Sequence, residues 1–77
     1  MVWQESLDED IELILAGDVD GIFNLANDLR GRADPEVVIW LYRLAFDRGV
    51  QESALNLAGF LEEVGKPTKA KKWYKIA

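Results

Sequence analysis

The chain contains neither cysteine nor histidine. Without cysteine it can form neither a disulfide nor a thiolate metal site. Without histidine it lacks the commonest general base and the commonest zinc ligand, so its serines and threonines have no histidine partner. Its glycines also lack the spacing of a phosphate-binding loop. We therefore predict a protein that is not an enzyme and that has no catalytic residues, no metal ion and no cofactor.

Long hydrophobic runs are also missing. No apolar stretch approaches the about 20 residues that a membrane-spanning helix needs, and residues 1–10 lack the basic start of a signal peptide. These features predict a cytoplasmic protein that does not contact a membrane.

Acidic residues outnumber basic ones, 14 to 9, and the net charge is −5. Residues 1–20 carry seven acids and no base, whereas residues 66–77 carry five lysines and no acid. An acidic chain with one small basic end is a poor candidate for binding nucleic acid. The charge layout either complements helix dipoles at the two ends of the chain or favours head-to-tail stacking of copies.

An internal repeat of 32 residues is the most informative feature that is present. Sliding the chain by this distance aligns eight identities in 29 residue pairs, and the string Asn-Leu-Ala falls on itself. The identical pairs are Gly17/Gly49, Asn24/Asn56, Leu25/Leu57, Ala26/Ala58, Leu29/Leu61, Pro35/Pro67, Tyr42/Tyr74 and Ala45/Ala77. Periods between about 20 and 50 residues are typical of stacked helical repeats.

Each repeat is predicted to form two helices, one repeat covering residues 17–48 and the other residues 49–77. Apolar residues recur at helical spacing in the first helix of each unit. They are Ile22, Leu25, Ala26 and Leu29, and then Ala54, Leu57, Ala58 and Leu61. Asp34 is placed to cap the second helix and Pro35 to begin it, with Pro67 as the later counterpart. Gly31, Gly49 and Gly65 are predicted to end helices.

Residues 1–16 are predicted to form a further, capping helix. Ser6 and Glu9 have capping-box spacing, and Leu7, Ile11, Ile14 and Leu15 form an apolar stripe. This segment matches neither repeat, as is typical of the terminal element of a solenoid. The prediction is an all-α protein of about five helices without strands.

Two sets of motifs resemble the tetratricopeptide repeat superfamily. Its alternation of small and large residues is similar to Leu25-Ala26-x-x-Leu29 with Val38-x-x-x-Tyr42-x-x-Ala45, and to Leu57-Ala58-x-x-Leu61 with Ala70-x-x-x-Tyr74-x-x-Ala77. The Asn-Leu-Ala string, Lys69-Ala70-x-x-Trp73-Tyr74 and the early Gly49 look more like the Sel-one-like branch. The resemblance covers residues 17–77, although the period is short and Val38 stands where alanine is usual. It implies a short α-solenoid, a right-handed superhelical stack of helical hairpins.

The resemblance also implies a binding site, because the first helix of each unit in such arrays lines a groove that receives a peptide. The corresponding residues are Asp20, Phe23, Asn24, Asn27 and Arg30, and then Glu52, Leu55, Asn56, Gly59 and Glu62. Asparagine can bind a peptide backbone through its donor and acceptor together, or Asn24 and Asn56 can instead bond a neighbouring helix. The acids in this set favour a basic or apolar peptide.

Two other functions remain open. The helix containing VVIWLYRLAF is apolar nearly all round, so it is either buried on both sides or faces a partner. In the second case this helix and an open C-terminal edge would make the chain a self-association or scaffold element, a homo-oligomer. A third interpretation is a small acidic regulator of a partner enzyme, for which no motif speaks.

Overall fold

The structure, a computed structural model, describes residues 20–77. In that range it consists of four α-helices and has no strand. They are α1 (Asp20–Leu29), α2 (Pro35–Asp47), α3 (Glu52–Glu63) and α4 (Pro67–Ile76). The prediction of an all-helical chain is confirmed for the described residues. The predicted capping helix of residues 1–16 lies outside them.

The helix starts follow the sequence repeat. α2 begins at Pro35 and α4 at Pro67, 32 residues later, and α3 begins at Glu52, the repeat counterpart of Asp20, which is the first described residue of α1. The shared prolines account for the starts of α2 and α4, because proline suits the first turn of a helix, where its missing N–H leaves no bond unmade.

The predicted helix boundaries are confirmed. The Asp34 side chain accepts a hydrogen bond of 2.9 Å from the backbone N–H of Glu36, which makes it the N-cap of α2. α2 ends two residues before Gly49, whose φ of +106° lies in the left-handed region that favours glycine. Gly31 and Gly65 follow α1 and α3 with positive φ in the same way.

The cap at Asp34 gives a direct test of this boundary. Replacing Asp34 with alanine should lower the free energy of unfolding by about 1 kcal/mol, because it leaves a helix N–H without its acceptor. A matched control is Asp47→Ala at the last residue of α2, where removing an acid from the helix C-terminus should cost nothing. Urea unfolding of both variants gives the comparison, and equal losses would contradict the capping role.

The core forms where each helix packs on the next one along the chain. Tyr42 of α2 lies at its centre, fully buried, with its ring 6.2 Å from that of Phe23 and 6.3 Å from that of Phe60. The buried hydroxyl of Ser53 donates a 2.6 Å hydrogen bond to the Tyr42 carbonyl and so ties α3 to α2. The other predicted core residues of α2 are also fully buried; they are Val38, Leu41 and Ala45.

α4 differs from its counterpart α2. The sequence places Ala70, Trp73, Tyr74 and Ala77 on one apolar face, but only Ala70 is buried. Trp73 is half-buried, with its ring 5.5 Å from that of Phe46, whereas Tyr74 and Ala77 are exposed. The physical reason is the number of helices that pack against each one. α2 packs against both α1 and α3, whereas among the described helices α4 has extensive contact with α3 alone.

Among residues 20–77 there is no helix that is both long enough and apolar enough to cross a membrane.

Candidate functional site

A network of hydrogen bonds and one ion pair joins α1 to α3 on the face predicted to bind a peptide. We call this network the polar bracket; its polar side chains include Asn27, Arg30, Asn56 and Glu63. The side-chain N–H of Asn56 donates to Oδ1 of Asn27 at 3.3 Å. The same oxygen accepts a 2.5 Å hydrogen bond from the hydroxyl of Tyr42. Asn27 therefore links three helices, and Asn56 bonds a neighbouring helix, which was one of the two alternatives for the asparagines.

Arg30 is the second part of the bracket. Its guanidinium forms a forked pair with Glu63, with Nη2 to Oε1 at 2.6 Å and Nε to Oε2 at 3.2 Å. It also donates to the carbonyl of Asn56 at 3.4 Å and lies 5.5 Å above the ring centre of Phe60. A Cβ added at Gly59 would be 3.3 Å from Nη2, so the small residue leaves room for the arginine. Together these contacts fix the end of α1 against α3.

The forked pair changes the protonation of both partners. Its hydrogen bond raises the pKa of Arg30, with a smaller contribution from Tyr42, and holds the pKa of Glu63 below its usual value. A lowered carboxyl pKa means that the pair stabilises the fold above the usual pKa of glutamate and loses this effect as pH falls through the lowered value. Because Glu63 is mostly exposed, the gain is about 1 kcal/mol or less.

Glu62, another residue of the predicted peptide site, contacts α4. Its carboxylate accepts a short hydrogen bond from the hydroxyl of Tyr74, and this bond raises the pKa of Tyr74. Glu62 therefore links α3 to α4 and is not part of the bracket between α1 and α3.

Three predicted residues remain available on the surface of α1 and α3. Leu55 is 54% exposed. Asn24 is exposed, and Phe23 is half-buried with its ring edge against Tyr42. These side chains can offer apolar contact and an amide to a bound segment.

Asp20 and Glu52 lie at one end of this face. They line a shallow hollow of about 390 Å³ together with Arg48, Gly49, Val50 and Gln51. The structure thus places the predicted residues in four groups: the bracket, the contact of Glu62 with α4, the open surface, and the hollow that contains Asp20 and Glu52.

Sequence reasoning missed the bracket partners Glu63, Phe60 and the hydroxyl of Tyr42. Arg30 and Glu63 are 33 residues apart, and no local spacing connects them. The repeat offered one signal, because a period of 32 makes the end of α3 the counterpart of the end of α1. Which carboxylate of Glu62 and Glu63 turns toward Arg30 depends on the helix rotation.

Within residues 20–77 no group of three or more acidic side chains converges in a way that could hold a metal ion. Comparison with protein-family models, with curated proteins and with solved structures found no match. Function must therefore be argued from the surfaces of the chain itself.

Proposed function

We propose that the chain is a non-enzymatic protein–protein interaction module built as a short α-solenoid of tetratricopeptide-like, Sel-one-like repeats. Two observations support this architecture. The starts of α2 and α4 lie 32 residues apart, and each helix packs mainly against its neighbour along the chain, as in quasi-one-dimensional repeat folds. In this proposal residues 17–48 and 49–77 are successive hairpins of one right-handed stack.

The proposed binding groove runs across α1 and α3, the first helices of the two hairpins. The observation that carries it is the exposed Leu55, 54% accessible, beside a bracket that fixes α1 against α3. Rigid helices that display an apolar residue bind a segment without a large ordering cost. Leu55 and Phe23 provide apolar contacts, and Asn24 provides a donor and an acceptor for peptide backbone.

The charges at the end of the groove select the chemistry of the ligand. Asp20 and Glu52 place two acids at this end beside one cation, Arg48, while Arg30 is paired with Glu63. A basic or apolar segment fits this arrangement better than an acidic one, since opposite potentials favour association.

Replacing Leu55 with glutamate tests the groove. We expect a random peptide library displayed on phage to be enriched in basic and apolar segments by the unaltered chain, and capture of the selected peptides to be lost in Leu55→Glu. Removing an apolar contact at the centre of an interface and burying a charge there typically costs more than 2 kcal/mol of binding free energy, about a thirtyfold loss of affinity. The melting temperature should stay nearly unchanged, because the leucine is exposed.

The matched control is Ile76→Glu on α4. Ile76 is 52% exposed, so the chemical change and the exposure are similar, but it lies outside the face of α1 and α3. Peptide capture should survive this change. Equal loss in both variants would refute the groove, and unfolding of Leu55→Glu would mean that Leu55 belongs to the core.

Self-association is a second candidate, favoured by the exposed face of α4. Tyr74 is 42% exposed, while its repeat counterpart Tyr42 is completely buried beneath α3. A helix from another copy would cover Tyr74 as α3 covers Tyr42. Light scattering on a dilution series tests this candidate, because an assembly element dissociates on dilution while a peptide-binding monomer does not change.

A further inference from the structure

A groove between α2 and α4 combines an apolar floor with a basic rim. It has a volume of about 690 Å³ and is lined mainly by residues of α2 and α4, with Leu61 of α3 as a further lining residue. Ile39 of α2 and Trp73 and Ile76 of α4 form apolar parts of its lining. Ile76 is 52% exposed, so this floor is accessible to a partner.

Four cations surround the floor: Arg43, Lys69, Lys72 and Lys75. Among residues 20–77 none of them has a carboxylate within ion-pair distance. The acid at the groove, Glu36, lies 3.6 Å from the ammonium of Lys66. The groove therefore presents uncompensated positive charge beside exposed apolar surface, which is the complement of an acidic amphipathic helix.

The same chain carries a segment with this chemistry. Residues 5–15 include five acids and no base, and four of their five apolar residues fall at helical spacing. The acids are Glu5, Asp8, Glu9, Asp10 and Glu12; the four apolar residues of the stripe are Leu7, Ile11, Ile14 and Leu15, and Leu13 is the fifth.

The acidic segment and the basic edge of the groove also have similar lengths. As a helix, the stripe from Leu7 to Leu15 spans about 12 Å, and the basic edge of α4 from Lys69 to Ile76 spans about 10 Å. We propose that residues 5–15 of a second copy dock in the groove between α2 and α4, with the apolar stripe on Trp73 and Ile76 and the acids against the lysines. This inference rests on the self-association candidate and is independent of the peptide groove.

Each copy offers one acidic segment and one groove. A reciprocal exchange between two copies therefore closes a dimer. In this dimer the apolar stripe of residues 7–15, which the sequence analysis assigns to a cap, is buried in the partner copy. If residues 7–15 cap their own chain, the protein should be a monomer in solution. If they dock in a second copy, it should be a dimer.

Light scattering of the full chain on a dilution series is the first measurement. The mass should rise from 8.7 kDa towards twice that value with concentration, and salt of about 0.5 M should weaken the association by screening the charges. A mass of 8.7 kDa at every concentration would overturn both this inference and the self-association candidate.

The decisive pair of variants is Lys72→Glu and Lys71→Glu. Both lysines are exposed neighbours on α4, but only Lys72 lines the groove. Lys72→Glu should weaken dimerisation by about tenfold or more, because it places an acid opposite the acids of the docked segment. Lys71→Glu should leave the dissociation constant within about twofold, as expected for a charge outside the contact.

A complementation experiment identifies the occupant. The double variant Glu9→Lys with Glu12→Lys keeps its groove but reverses the charge of its segment, whereas Lys72→Glu keeps its segment. At a concentration at which the unaltered chain is dimeric and each variant alone is mostly monomeric, an equimolar mixture should form mixed dimers, because the intact segment of one can enter the intact groove of the other. Circular dichroism of each variant confirms that it is folded.

Each negative result of these experiments overturns a different part of the inference. Dimerisation that Lys72→Glu and Lys71→Glu leave equally strong would overturn the groove and leave the exposed face of Tyr74 as the interface. A folded mixture that stays monomeric would overturn residues 5–15 as the occupant. A monomer that sediments with phosphatidylserine vesicles, and loses this property only in Lys72→Glu, would overturn the dimer and assign the groove to an anionic membrane surface.

Discussion

Replacing Tyr42 with alanine should lower the free energy of unfolding by about 3 to 5 kcal/mol, as for other large buried aromatic side chains. Tyr42 is fully buried between the rings of Phe23 and Phe60, so its removal leaves a cavity in the centre of the core. It also removes the hydroxyl that donates to Asn27, which loosens the bracket between α1 and α3.

A loss of this size is large for such a short chain. A domain of 77 residues typically has a free energy of unfolding of about 4 to 12 kcal/mol. The melting temperature should therefore fall by about 12 °C or more, and thermal unfolding followed by circular dichroism measures it. A mild effect would mean that the tyrosine is not at the centre of the core.

The matched control is Tyr74→Ala, the same substitution 32 residues later. Tyr74 is exposed and its hydroxyl bonds Glu62 on the surface, so we expect a loss of less than about 1 kcal/mol. The difference in stability loss between the two tyrosine variants tests whether the face of α4 that carries Tyr74 is exposed to solvent. Equal losses would contradict the exposed face of α4 and remove the support for self-association.

The positions of the helices could be predicted from the sequence because their signals are local. Asp34 and Pro35 stand at a helix start, and Gly49 takes the backbone conformation that ends α2. Each signal acts within one helical turn, so it can be interpreted without knowing which other helices pack nearby. The 32-residue repeat then set the second pair of helix starts.

Burial could be predicted only in part. The hydrophobic periodicity shows which face of a helix is apolar, but it does not show how deeply that face is buried. Tyr42 and Tyr74 occupy equivalent repeat positions, yet one is buried and the other exposed. The difference comes from the number of helices that cover each one. For the same reason the sequence did not indicate that Ala77 would be exposed.

The contacts of the polar bracket could not be predicted from the sequence, although three of its members were assigned to the same face. Asn27, Arg30 and Asn56 were assigned to a peptide groove, and the structure places them in contacts between helices. An exposed polar residue on a helix face has the same sequence signal whether it binds a ligand or a neighbouring helix. Only the distances between side chains separate the two.

Replacing Leu57 with alanine should lower the free energy of unfolding by about 2 to 5 kcal/mol. Leu57 is fully buried in the core on α3, and alanine would leave an apolar cavity that the packed neighbours can only partly fill. Urea unfolding measures the loss, and an unchanged slope with denaturant would show that the variant unfolds from the same compact state.

The control, Leu55→Ala, carries the same truncation two residues away and decides what Leu55 is for. Because its side chain is 54% exposed, truncation should change stability by no more than about 0.5 kcal/mol. A leucine that can be removed without loss of stability contributes its apolar surface to something other than the core, as the peptide groove requires. A loss as large as that of Leu57→Ala would make Leu55 a core residue, and the groove across α1 and α3 would lose its principal apolar contact.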